Sequence, residues 1–104
     1  MCPNPDDPGC GNINASLAIM GDKWTALLVR ELTAGPKRFS ELEQALGIGP
    51  RTLSQRLDGL EAAGVVRTQQ YTEGSRRLAY ALTPKGQDLL PVLRSMADWA
   101  AKYA

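Results

Sequence analysis

The sequence predicts a mainly α fold with one small β-hairpin, an α+β arrangement in a single domain. Three observations carry this. Apolar residues recur at three- and four-residue spacing from residue 13 to residue 64, in stretches closed by glycines. Residues 65–82 switch to β-rich runs around a glycine-containing turn, and the segment after Thr83 returns to a helical period.

Residues 1–12 contain Pro3, Pro5 and Pro8 and no apolar period, so they are expected to form a flexible N-terminal arm ahead of a folded domain over 13–104. Ile13, Leu17 and Met20 share one helical face between Asn12, a candidate cap, and the stop at Gly21. Asp22 can cap a second helix in which Leu27, Leu28 and Leu32 sit at helical spacing beside Trp24, ending at Gly35-Pro36. Ser40 and Glu43 have capping-box spacing, with Phe39 as a staple, so a third helix is expected through Leu42, Ala45 and Leu46 to Gly47.

Only Ile48 and Gly49 then precede GPRTLSQRLDGLEAAG, a fourth helix with Gly49 as N-cap, Pro50 at its first position and Gly64 as its stop. The two helices make a helix-turn-helix. Val66, Tyr71, Leu78, Tyr80 and Leu82 mark the two β runs, with Gly74, Ser75, Arg76 and Arg77 at the turn. Thr83-Pro84 opens a last helix, expected over about 83–103, in which Leu89, Leu93, Met96, Ala100 and Tyr103 alternate at spacings of four and three. Such a seam wants a second helix, and Trp99 beside it would be a large exposed apolar surface in a monomer, so pairing of two copies through this helix and Ile13 and Leu17 is expected. Pro91 should kink this helix near residue 87.

On the fourth helix, Leu53, Leu57 and Leu60 form the apolar stripe, and Arg51, Gln55 and Asp58 lie opposite it with Thr52 and Ser54 on its flanks. Arginine and glutamine can make paired hydrogen bonds to guanine and adenine edges in a major groove, and threonine offers a hydroxyl and a methyl to the same surface. Arg56, nearer the stripe, has two readings: an ion pair with Glu61 or another carboxylate, or a phosphate contact. Lys37, Arg38, Ser40, Ser75, Arg76 and Arg77 are candidates for backbone contacts, which position rather than read.

The 104 residues carry a net charge of only +1. Basic residues nevertheless gather at Lys37, Arg38, Arg51 and Arg56, and again at Arg67, Arg76, Arg77 and Lys85. Histidine is absent, which removes the commonest general base and metal ligand; no catalytic residue, metal or cofactor is expected. Cys2 and Cys10 are too few for a zinc site and are read as thiols. No apolar run reaches membrane-spanning length and the N-terminus lacks a signal-peptide pattern, so a cytoplasmic protein is expected.

Helices, helix-turn-helix, hairpin and terminal helix in this order define a winged helix-turn-helix. Four local strings sharpen it: Gly21-Asp22-Lys23-Trp24-Thr25, Gly35-Pro36-Lys37-Arg38-Phe39-Ser40-Glu41-Leu42, Leu53-Ser54-Gln55-Arg56-Leu57 and Tyr80-Ala81-Leu82-Thr83-Pro84-Lys85-Gly86. In these the chain resembles HxlR-type regulators, small MarR-related bacterial transcription factors, over about residues 10–103. The resemblance implies a homodimer whose recognition helices enter successive major grooves of a pseudo-palindromic operator in double-stranded DNA, with the wing on the backbone or minor groove. It also implies a sensing thiol before the first helix, responsive to quinones, aldehydes or oxidants; Cys10 occupies that place, followed by Gly11 rather than the family's usual proline. Two other readings are a winged-helix protein-interaction module and a regulator switched by a small molecule at the dimer interface. The first would more often place an apolar patch where Arg51, Thr52 and Gln55 lie.

Overall fold

In the computed structural model, which describes residues 10–104, six helices and one antiparallel hairpin follow in order. They are α1 (Cys10–Met20), α2 (Lys23–Leu32), α3 (Phe39–Leu46), α4 (Pro50–Ala62), β1 (Val66–Gln70), β2 (Leu78–Leu82), α5 (Pro84–Gln87) and α6 (Leu90–Tyr103). One apolar cluster joins them, with Leu28, Val29 and Leu32 of α2 meeting Leu42 of α3, Leu53, Leu57 and Leu60 of α4, and Val65, Val66 and Leu82 at the hairpin base.

The expected elements are all present, with four corrections. Helix α1 begins at Cys10 rather than Ile13, so Asn12 is inside it and accepts from the Ser16 hydroxyl at 2.9 Å. The helix can extend ahead of the apolar period because no proline lies between residues 10 and 20 to interrupt it. The remainder of the expected arm, residues 1–9 with Cys2, lies outside the described residues.

The cap of α3 is Arg38, not Ser40. Lys37 and Tyr80 exchange two backbone hydrogen bonds, 3.0 and 2.7 Å, so a one-residue bridge flanks β2 and keeps the chain extended through Arg38. The helix can therefore start at Phe39, and Glu41, rather than Glu43, accepts from the Arg38 amide at 2.9 Å. Ser40 is left exposed on the first turn.

The single terminal helix is divided into α5 and α6. Proline has no amide to donate to the carbonyl four residues back, which is that of Gln87, and the helix stops there and resumes at Leu90 with Pro91 in its first turn. Leu89 and Leu93 turn inward onto the chain's own core, whereas Val92, Met96, Trp99 and Tyr103 stay exposed.

In the hairpin, Val66 pairs with Leu82 and Gln70 with Leu78. The buried face of β2 carries Ala79 and Ala81, with Leu82 at its end, while Leu78 and Tyr71 are exposed. Size alone would turn Leu78 and Tyr80 inward, but β2 runs beside α2 and methyl-sized groups occupy that approach.

Candidate nucleic-acid interface

Helix α4 is fixed at both ends and along its inner face. Pro50 opens it after the extended Gly49, and Leu53, Leu57 and Leu60 are almost wholly buried. At its end the Val65 amide donates to the Leu60 carbonyl (2.9 Å) and the Gly64 amide to that of Glu61 (3.0 Å). This is a Schellman stop, which needs the left-handed φ of 74° that Gly64 adopts. The following strand-to-helix turn fastens the same end. The Thr83 hydroxyl donates to the Gly64 carbonyl, and Lys85 Nζ donates to the Ala63 carbonyl at 2.6 Å, placing a positive charge at the negative end of the helix dipole. Gly86 makes this approach sterically feasible: a Cβ there would lie 2.3 Å from the Val65 carbonyl oxygen.

With the inner face so held, Arg51, Ser54, Gln55 and Asp58 project outward at positions i, i+3, i+4 and i+7, and Thr52 is half-buried beside them. Arg56 is drawn elsewhere: its Nε lies 2.9 Å from Oδ2 of Asp22, the N-cap of α2. The ion pair, one of the two readings of Arg56, is thus present, with Asp22 as the carboxylate.

The wing lies across the start of α3. At its tip the Ser75 amide donates to the Thr72 carbonyl (2.9 Å), and the Arg77 amide donates to the Ser75 hydroxyl (3.0 Å). Ser75 therefore shapes the turn, while Arg76 and Arg77 extend into solvent. Arg77 is at the mouth of the turn rather than its apex, since its carbonyl accepts from the Tyr71 amide at 2.8 Å. Arg38, Phe39, Ser40, Arg77 and Leu78 enclose a cleft of about 280 Å³, so two arginines from distant parts of the sequence share one notch. The Arg38 guanidinium also lies over the Tyr71 ring, 5.5 Å from its centre. No sequence period signals that contact, because it joins a loop to a wing. Lys37 is half-buried in the bridge to β2.

Away from this surface, Ile13 and Leu17 of α1 are 59% and 58% exposed, and Trp99 and Tyr103 of α6 are 63% and 65% exposed. Val92, Ser95, Met96, Trp99 and Ala100 form one exposed, mainly apolar face of α6. Cys10 is the first residue of α1; its side chain lies outside the described residues. Among the described residues no group of histidine, cysteine, aspartate and glutamate is placed to hold a metal ion, and no helix is long and apolar enough to cross a membrane.

A capped helix with a polar outer face, a helix packed behind it and a basic two-stranded wing beside it define a winged helix-turn-helix DNA-binding protein. The chain belongs to the HxlR-like helix-turn-helix family, which it matches over residues 19–104, and that family comprises DNA-binding transcriptional regulators. It is 39% identical over 95 residues to the HTH-type transcriptional regulator YvaP of Bacillus subtilis, covering 90% of this chain and 88% of that one. The reduced form of the transcriptional regulator YodB from B. subtilis superposes with a TM-score of 0.81 at 30% identity, covering 100% of this chain and 95% of YodB; YodB has also been solved quinone-bound. The redox regulator HypR in its reduced form superposes with a TM-score of 0.79 at 30% identity, covering 88% of this chain and 91% of HypR.

Proposed function

We propose that the chain is a cytoplasmic, homodimeric regulator that binds a pseudo-palindromic operator in double-stranded DNA. The observation that carries this is the outer face of α4, where Arg51, Ser54 and Gln55 are exposed on a helix whose inner face and end are locked. Arg51, Thr52, Ser54 and Gln55 address base edges in the major groove. Lys37, Arg38, Ser40, Arg76 and Arg77 bind phosphates, and Ser75 keeps the wing tip in shape. The second copy is accommodated by α1 and α6 through Ile13, Leu17, Met96, Trp99, Ala100 and Tyr103, leaving Leu89 and Leu93 to the chain's own core. Two recognition helices then meet half-sites about one helical turn apart.

The test is anisotropy-monitored binding of the purified chain to duplexes it selects from a randomised pool. A consensus with two-fold symmetry, with affinity falling linearly on a log-log salt plot, is the expected result. Failure to bind any duplex at low salt would favour a protein-interaction module instead.

A second element of the proposal is a switch. Quinone-bound YodB and the redox regulator HypR are structural neighbours, and Cys10 heads α1, the helix assigned to the dimer contact. A quinone adding to the Cys10 thiolate and taking up the proton to give a hydroquinone thioether, or diamide oxidising two Cys10 thiols of the dimer to a disulfide and being reduced to the hydrazine, would alter that contact and lower operator affinity. Loss of binding after diamide treatment, abolished by Cys10→Ser, is the expected outcome; a Cys10→Ser protein that still responds would refute it.

A further inference from the structure

We propose that Asp22 is a positioning residue for the recognition helix, setting the rotation of α4 through Arg56. This rests on the DNA-binding reading above and adds a residue outside the DNA-facing surface to it.

Asp22 is held before it meets Arg56. Its Oδ1 accepts from the Thr25 amide at 2.9 Å, and its Oδ2 accepts from the Thr25 hydroxyl at 3.3 Å. Thr25 is itself buried, and α2 is anchored below it by Leu28, Val29 and Leu32. A carboxylate fixed in this way is a stationary anchor. The same Oδ2 lies 2.9 Å from Arg56 Nε, on the flank of α4.

Nothing else fills that flank. Between α1, α2 and α4 there is a cleft of about 210 Å³, with Ala18 and Ile19 on one side and Gln55, Gly59 and Ala63 on the other. Gly59 offers no side chain, and a Cβ there would meet no neighbour within 4 Å. The stripe of Leu53, Leu57 and Leu60 fixes which face of α4 looks inward, and on this flank the ion pair with Asp22 trims the remaining few degrees of rotation. Gln55 lines the same cleft and is adjacent to Arg56, so the direction in which Gln55 and Arg51 face the groove depends on where Asp22 holds the helix.

Both side chains are partly exposed, so the pair adds little to stability, and what it supplies at this position is orientation. Asp22 also carries a negative charge close to a surface that approaches phosphates. Simple electrostatics says that removing this charge should strengthen DNA binding. The positioning role gives the opposite sign.

The experiment uses the full chain, the duplex that wild type selects from a randomised pool, and a scrambled duplex of the same length, across a salt series. Asp22→Asn keeps a good N-cap while removing the charge. Its melting temperature should stay within a few degrees of wild type. Its affinity for the selected duplex should fall about fivefold, the upper end of what one exposed pair supplies, with scrambled binding unchanged. Arg56→Gln should show the same selective loss with an unaltered salt slope, Arg56→Lys should recover part of it, and the double variant Asp22→Asn with Arg56→Gln should be no worse than either single one. Tighter or unchanged binding by Asp22→Asn would overturn the proposal. So would an Arg56→Gln protein that loses about one phosphate's worth of salt slope equally on both duplexes, which is the signature of a direct phosphate contact. If wild type selects no duplex at all, the DNA reading fails first, and this proposal with it.

Discussion

Arg51 and Gln55 illustrate what single residues contribute and how far sequence reveals them. Their exposure follows from the leucine stripe alone, since any residue opposite Leu53, Leu57 and Leu60 must face solvent. Replacing Arg51 with alanine should reduce affinity for the selected duplex by about 1–3 kcal/mol and relax preference at one base position, read by anisotropy on single-base variants of the duplex. Arg77→Ala, by contrast, should weaken all duplexes alike and reduce the salt slope by about one phosphate. Arg56 was legible only as ambiguous. Its partner Asp22 is distant in sequence and caps another helix, and no helical spacing links them. Tyr80 is a further residue that sequence left unremarked except as a strand position. Burial, and then the carboxylates of Glu61 and Asp58, raise its phenol above the ordinary value of 10.0. In the unfolded chain the phenol ionises first, so its contribution is intact below pH 10 and stability falls as pH rises through the higher folded value. Chemical denaturation between pH 9 and 12 should show that fall, and Tyr80→Phe should flatten it.

At the scale of elements, the turn from β2 into α5 does more than reverse the chain. Thr83, Lys85 and Gly86 are what tie the end of α4 to the hairpin base. Gly86→Ala should therefore destabilise the fold by about 1–3 kcal/mol through overpacking against the Val65 carbonyl and Leu82, measurable as a lowered urea midpoint. Most elements were readable because each is bounded by local chemistry: Asp22 caps α2, Pro50 opens α4, and Gly64 ends it. The errors arose where a long-range contact overrode a local signal. Ser40 and Glu43 have the spacing of a capping box, but the Lys37–Tyr80 bridge straightens the chain two residues earlier and moves the cap to Arg38. Size misled at β2, where the closeness of α2 makes alanine the buried residue and leaves Leu78 outside. Pro91 did mark the interruption in the terminal helix, and the missing amide accounts for a break where a kink was expected.

For the whole molecule, the division of apolar residues between one core and one exposed face determines how copies are expected to assemble. The core closes around α2 and α4, whereas α6 has no fully buried residue and reaches the core only through the half-buried Leu93. Met96→Glu together with Trp99→Glu should leave the fold intact, because neither side chain is in the core, and convert a dimer into a monomer in light scattering. The monomer should lose operator affinity by at least tenfold, since it can occupy only one half-site at a time. In the proposed dimer the basic wing and the exposed face of α4 would act twice over, which would let a chain with a net charge of only +1 bind a polyanion through its local charge. The most direct measurement is selection of duplexes from a randomised pool by the wild-type chain, followed by a salt titration on the winner. The expected result is a two-fold symmetric site with half-site centres about ten base pairs apart, and a log-log slope corresponding to several phosphates. Enrichment of no sequence, with no binding to any duplex at low salt, would contradict it.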